Sequence, residues 1–181
     1  SQPKLSVEYA LKRSKRAKYI HLRVHPGGAV VLTVPFGTAL ETAERFVRER
    51  TEWLAHAIQR MMQFRSLPVS GRRDYVKYKE DARTFLQERT AHWNQFYQFS
   101  YNRIAIKNTR RTWGSCSRKG NINFSYKLLF LPRELADYVV VHELCHLKHH
   151  NHGPRFWAEV ARALPDYKRR RGELRTYLPS R

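Results

Sequence analysis

The 181-residue chain reads as an α+β protein: an N-terminal antiparallel β-meander with helices, followed by a domain that combines a small antiparallel sheet with several helices. Three observations predict this. Residues 5–35 alternate apolar and polar side chains with the two-residue period of strands; residues 40–61 and 75–96 repeat apolar residues at helical spacing; and short alternating runs between 104 and 126 are bounded by turn residues.

Taken in order, Val7, Tyr9 and Leu11 share one strand face, and Ile20, Leu22 and Val24 another. Pro26-Gly27-Gly28 then turns the chain into Val30-Val31-Leu32-Thr33-Val34, completing the meander. Thr38-Ala39-Leu40-Glu41 has the spacing of a capping box, with Leu40, Ala43, Phe46 and Val47 at helical intervals behind it. Trp53, Leu54, Ala57, Ile58 and Met61 repeat the pattern for a second helix. The breaker-rich Ser66-Leu67-Pro68-Val69-Ser70-Gly71 is the linker, separating a lobe over 1–66 from a domain over 72–181.

A long helix is predicted over 75–96, where Tyr78, Ala82, Phe85, Leu86, Arg89, Trp93 and Phe96 form a largely apolar stripe. The aromatics Trp93, Phe96, Tyr97 and Phe99 are read as core, not as a platform for stacking bases. Strands follow at Ile104 and Ile106, over 111–116, and over 121–126 across a turn at 117–120. After Pro132 a helix is predicted to run to about His150. Pro154 opens another, with Phe156, Trp157, Val160, Ala161 and Leu164 inward, and Pro165 stops it. Residues 167–175 are basic and helical.

Composition narrows the setting. A hydrophobic content of 41% supports one sizeable core, and no apolar run approaches a membrane span. Residues 1–4 do not begin a signal-peptide pattern, so the cytoplasm is the expected location. Cys116 and Cys145 offer no disulfide framework and are read as small core residues. The formal net charge of +20 predicts a field that attracts nucleic acid, nucleotides or acidic proteins. Its basic runs include Lys168-Arg169-Arg170-Arg171, a candidate anion-binding arm.

One stretch names a chemistry. On a helix His142 and His146 lie about 40° apart and one turn above each other, so two imidazoles can share a metal ion, while Glu143 is rotated by about 100° from His142. That is the His-Glu-x-x-His arrangement of zinc hydrolases, in which a carboxylate beside the metal takes a proton from water. A catalytic zinc needs a third protein ligand. His149, His150 and His152 are available. His149 lies past the metal along the helix axis, and His149 and His150 suit solvated positions at a helix end. His152 would point away on a continued helix, but Asn151-His152-Gly153-Pro154 carries the residues of a turn that brings it back. Zn²⁺, one per chain, held by His142, His146 and His152 with Glu143 as general base, is therefore the expectation.

The runs Trp113-Gly114-Ser115-Cys116, 128–132, 138–147 and His152-Gly153-Pro154-Arg155-Phe156-Trp157 together resemble the YgjP-like family of metal-dependent hydrolases. These are small metallopeptidases of the gluzincin type, related to SprT-like proteases. The resemblance spans most of the chain and implies a zincin-like second domain, the same three histidine ligands and the same base. It also implies that a sheet strand beside the cleft holds an extended peptide; 113–116 and 121–126 are both candidates for that strand. Thr112 and Ser125 depart from the family pattern, which has a basic residue and an Asn there. The expected activity is zinc-dependent peptide hydrolysis on a peptide or protein substrate. Nucleoside triphosphate pyrophosphohydrolysis at the same site is the alternative, and a basic nucleic-acid-binding module with structural zinc a second one.

Overall fold

The computed structural model describes residues 7–177; residues 1–4 and the Leu5 end of the alternating stretch lie outside them. The chain divides between Ser66 and Leu67 into two units. Among the described residues there are six α-helices and two three-stranded sheets, a mixed α+β composition. No helix among them is long and apolar enough to cross a membrane.

The first unit contains β1 (Ala10–Ser14), β2 (His21–Val24), β3 (Val30–Pro35), α1 (Leu40–Arg48) and α2 (Thr51–Met62). Its sheet corrects the expected antiparallel meander: the order is β1-β3-β2, with β1 parallel to β3 and β2 antiparallel to it. The physical reason is the burial of β3. Its Val30, Leu32 and Val34 are at most 5% exposed against Ala43, Val47 and Leu54, so this strand takes the centre. The charged β1, with Lys12 and Arg13, is left at an edge. Residues 15–20 have only to step over one strand, about 10 Å, which six residues span easily. The turn between β2 and β3 uses Gly27 and Gly28 at φ of 83° and 85°, a conformation open to glycine.

The capping box is also not formed. Ala39 is the N-cap of α1 and no side chain caps it. Thr38 belongs to the preceding turn, its N–H donating to Pro35 O while Arg13 Nη1 donates to Phe36 O and Thr38 O.

The second unit runs through α3 (Gly71–Tyr97), β4 (Arg103–Lys107), β5 (Gly114–Cys116), β6 (Asn121–Ser125), a 3₁₀ turn (Tyr126–Phe130), α4 (Arg133–Cys145), α5 (Pro154–Ala163) and α6 (Tyr167–Leu174). Its sheet is likewise not antiparallel throughout. The order is β4-β6-β5, with β4 parallel and β5 antiparallel to β6, the same topology as in the first unit. Again the most buried strand is central: Ile122 and Phe124 of β6 are fully buried. This leaves β5 as an edge strand.

Helix α4 is buried nearly all round, from Leu135 to Val141 and from Glu143 to Cys145, so it is the axis of this unit's core. It is locked to α3 by a buried ion pair: Arg89 Nε and Nη2 donate to Asp137 Oδ1 and Oδ2 at 2.6 and 2.9 Å. Both residues are less than 9% exposed. Asp137→Ala would strand the guanidinium without a partner, and a loss of about 3–5 kcal/mol is expected. Urea denaturation measures it. An unchanged midpoint would show that the pair does not hold the two helices, whereas replacing both residues by apolar ones of similar volume should cost much less.

Candidate metal centre

Helix α4 was expected to continue to about His150, but it ends at Cys145 with His146 as its C-cap. The last turn tightens, Leu147 N–H bonding Leu144 O and His149 N–H bonding Cys145 O, and the chain reverses before Gly153 and Pro154 start α5. Pro at the first position of α5 needs no partner for a missing N–H and has the φ a helix requires. This reversal brings His152 back over the end of α4.

The Nε2 atoms of His142, His146 and His152 then form a nearly equilateral triangle, with separations of 3.1, 3.1 and 3.0 Å. Hydrogen bonding alone cannot account for it. A ring nitrogen carries either a proton or a lone pair, so among three mutual contacts at least one must pair two like groups. A tetrahedral ion with bonds of ~2.0–2.1 Å holds its ligating nitrogens roughly 3.3 Å apart, close to the observed spacing. These three histidines are the one group among the described residues whose His, Cys, Asp or Glu atoms could share an ion. The imidazoles of His149 and His150 are outside it. His149 contributes its carbonyl instead, 2.9 Å from His146 Nδ1. That contact places the proton on Nδ1 and leaves the Nε2 lone pair facing the other two rings.

Packing holds the triangle. The fully buried ring of Phe156 lies 4.9, 4.5 and 4.9 Å from the rings of His142, His146 and His152. Trp157 stacks on His152 at 5.7 Å and on Tyr167 at 5.2 Å. Burial, reinforced by the charges of His146, His152 and Arg171, pushes His142 down to about 3, and burial also holds His146 below its ordinary value. Both rings are therefore neutral at pH 7, the form that ligates metals. Glu159, buried on α5, fixes the turn beyond α4 by accepting from Lys148 Nζ at 3.1 Å, with His149 Nε2 3.7 Å away.

Glu143 is 5% exposed, and its Oε2 has no hydrogen-bond partner among the described residues. Burial pushes its carboxyl up to about 8, and a cation held by the adjacent histidines would lower it again toward the ionised form that a base requires. A buried carboxylate oxygen without a protein partner is costly, which marks Glu143 as a candidate functional group. Gly114 of β5 makes the position possible: a Cβ there would lie 2.6 Å from Glu143 Oε1 and 2.8 Å from its Cγ. Gly114→Ala should therefore shift the carboxylate while sparing the three histidines. A displacement of about 1 Å at a reacting group can cost roughly 10²-fold in rate. Full metal content with kcat/KM lowered by about that factor is the expected result; unchanged kcat/KM would remove Gly114 from the positioning of Glu143.

A cavity of about 390 Å³ opens beside Glu143 and His142. Trp113 and Gly114 form part of its wall, together with Tyr138 and Val139 of α4, and Arg111, Arg171 and Arg175 line it as well. Of these lining residues, Arg171 and Arg175 belong to the basic 167–175 segment read from sequence as a candidate anion-binding arm, and Trp113 and Gly114 to a strand read as a candidate for holding a peptide; Arg111, Tyr138 and Val139 were given no part in a site. The signal for Gly114 was a glycine in a predicted strand, which marks a close backbone approach; the basic runs were visible, but no local pattern placed the arginines beside Glu143. Both cysteines are free, Cys145 buried in the core and Cys116 half-buried in β5.

The model of the YgjP-like metallopeptidase domain family matches residues 18–77 and 70–177. Among solved structures, the chain is similar to the metallopeptidase zymogen of Pyrococcus abyssi abylysin. The two are 25% identical with a TM-score of 0.47, over 50% of this chain and 92% of that one. No curated protein matches.

Proposed function

From the premise that the chain belongs to the YgjP-like metallopeptidase family, we propose that it hydrolyses peptide bonds using one Zn²⁺ held by His142, His146 and His152. The observation that carries this reading is the convergence of three Nε2 atoms within 3.1 Å of each other next to a buried carboxyl group whose Oε2 has no hydrogen-bond partner among the described residues.

When bound, the ion supplies Lewis-acid chemistry, making water acidic enough to be a nucleophile near pH 7 and polarising a carbonyl. The residues of the chain supply the rest. Glu143 takes the proton of the attacking water at its free Oε2 and returns it to the leaving amine. Gly114 sets the depth at which that carboxylate sits. His149 O fixes the His146 tautomer. Phe156 shields the three rings from water on its side. Of the two candidate strands for holding a peptide, β6 is paired on both sides and β5 on one, so the outer edge of β5 is the one that offers free backbone groups.

Zinc-reconstituted protein assayed against a peptide library and a nucleotide panel tests the reading. Cleavage of peptides that stops on chelation and returns with zinc is the expected outcome. Release of pyrophosphate from nucleotides with every peptide intact would replace it.

A further inference from the structure

The cavity beside Glu143 carries a charge pattern that peptide hydrolysis alone does not require. Four consecutive cations, Lys168 to Arg171, occupy α6, and they are not equivalent. Arg169 pairs with Glu134, Asp166 and Glu173, and Arg170 with Asp166. Arg171 and Arg175, one helical turn apart and so on the same face, form no ion pair among the described residues, and both line the cavity. Arg111 lines it too, and Glu143 is the one acidic residue in its wall.

Arg171 has a defined place. Its guanidinium carbon lies 4.7 Å from the centre of the Trp157 ring, the ring that stacks on His152. Such a contact orients a cation and leaves its charge unneutralised. Two like charges four residues apart on a helix repel, so α6 keeps an arrangement that an anion between them would relieve. Tyr138, Val139 and Leu174 add apolar wall, suited to an aliphatic stem, below a guanidinium fork that matches the two oxygens of a carboxylate.

We propose that this cavity binds a carboxylate of the peptide substrate next to the scissile bond, with Arg171 and Arg175 as specificity-determining residues. The ligand is named as a peptide because the inference rests on the peptidase reading. The carboxylate has two sources, an acidic side chain or the C-terminus of the substrate.

Binding separates this inference from the reading beneath it. Zinc-loaded Glu143→Gln protein is titrated by fluorescence anisotropy with labelled octapeptides of Ala and Leu. One set carries Glu or Gln at successive positions, and the other ends in a free acid or an amide. The carboxylate member of at least one pair is expected to bind roughly 10- to 100-fold more tightly, as suits a charge-assisted hydrogen bond. That advantage should disappear in the added Arg171→Gln/Arg175→Gln background at unchanged zinc content, and Arg171→Lys should retain part of it. The pair that discriminates identifies the source. Equal affinity within every pair overturns the proposal, as does a carboxylate preference that survives loss of both arginines. Wild-type turnover of the same peptides is scored separately: carboxylate-dependent binding without cleavage of any peptide would overturn the peptidase reading and leave the carboxylate site standing.

Discussion

Glu143→Gln is expected to lower hydrolysis by roughly 10²–10⁴, the usual loss for a missing general base, while zinc content stays at that of the wild type. The amide keeps the shape that fits against Gly114, where the clearance is too small for even a Cβ, so the packing of β5 on α4 should survive. What disappears is a basic oxygen at Oε2, the atom for which no protein partner is present among the described residues. Steady-state kinetics on a peptide cleaved by the wild type, with elemental analysis of the same sample, gives both quantities. Turnover at the wild-type rate would mean that the proton is taken by another group and that Glu143 is buried for structural reasons.

The second large effect is expected at His152. Unlike His142 and His146, it is not carried by α4; it reaches the cluster from the reversal before α5. His152→Ala leaves two nitrogens, and the affinity for zinc should fall by more than the ~10–100-fold that changes around an intact ligand set produce. After dialysis against metal-free buffer, the variant should retain far less than one zinc per chain. His149→Ala is the informative control, because the contact it makes to His146 uses the backbone carbonyl, which the substitution keeps. Full occupancy in His152→Ala with loss in His149→Ala would reverse the assignment of the third ligand.

How much of this could be read before the structure depended on whether the interaction was local. The relation between His142, Glu143 and His146 is set by helical geometry alone. His152 was reachable because Asn151, Gly153 and Pro154 are residues whose backbone preferences require a turn. Strands were visible as alternation, but their order was not. Alternation shows that Val30, Leu32 and Val34 share a face, and says nothing of whether β1 reaches β3 from the near side or across it. The two mixed sheets were missed for this reason. Thr38 misled because its spacing to Glu41 suits a cap, while Arg13, 25 residues away, takes its carbonyl. The contact of Gly114 with Glu143, the Arg89–Asp137 pair and the grouping of Arg111 with Arg171 and Arg175 all join segments distant in sequence, and no single window contains them.

The ring of Phe156 beneath the three imidazoles has a thermodynamic consequence. In domains whose metal ligands lie on otherwise unsupported loops, ion binding supplies the folding free energy, and chelators denature them. Here the loop carrying His152 is ordered by apolar contacts with Phe156 and Trp157, which belong to a core continuous with α4 and α5. These contacts offset part of the conformational entropy that ordering the loop costs, independently of any bond to an ion. Zinc is therefore expected to add stability by mass action without being required for folding: a chelator should stop hydrolysis and lower the urea midpoint while the far-UV circular dichroism of the folded chain persists.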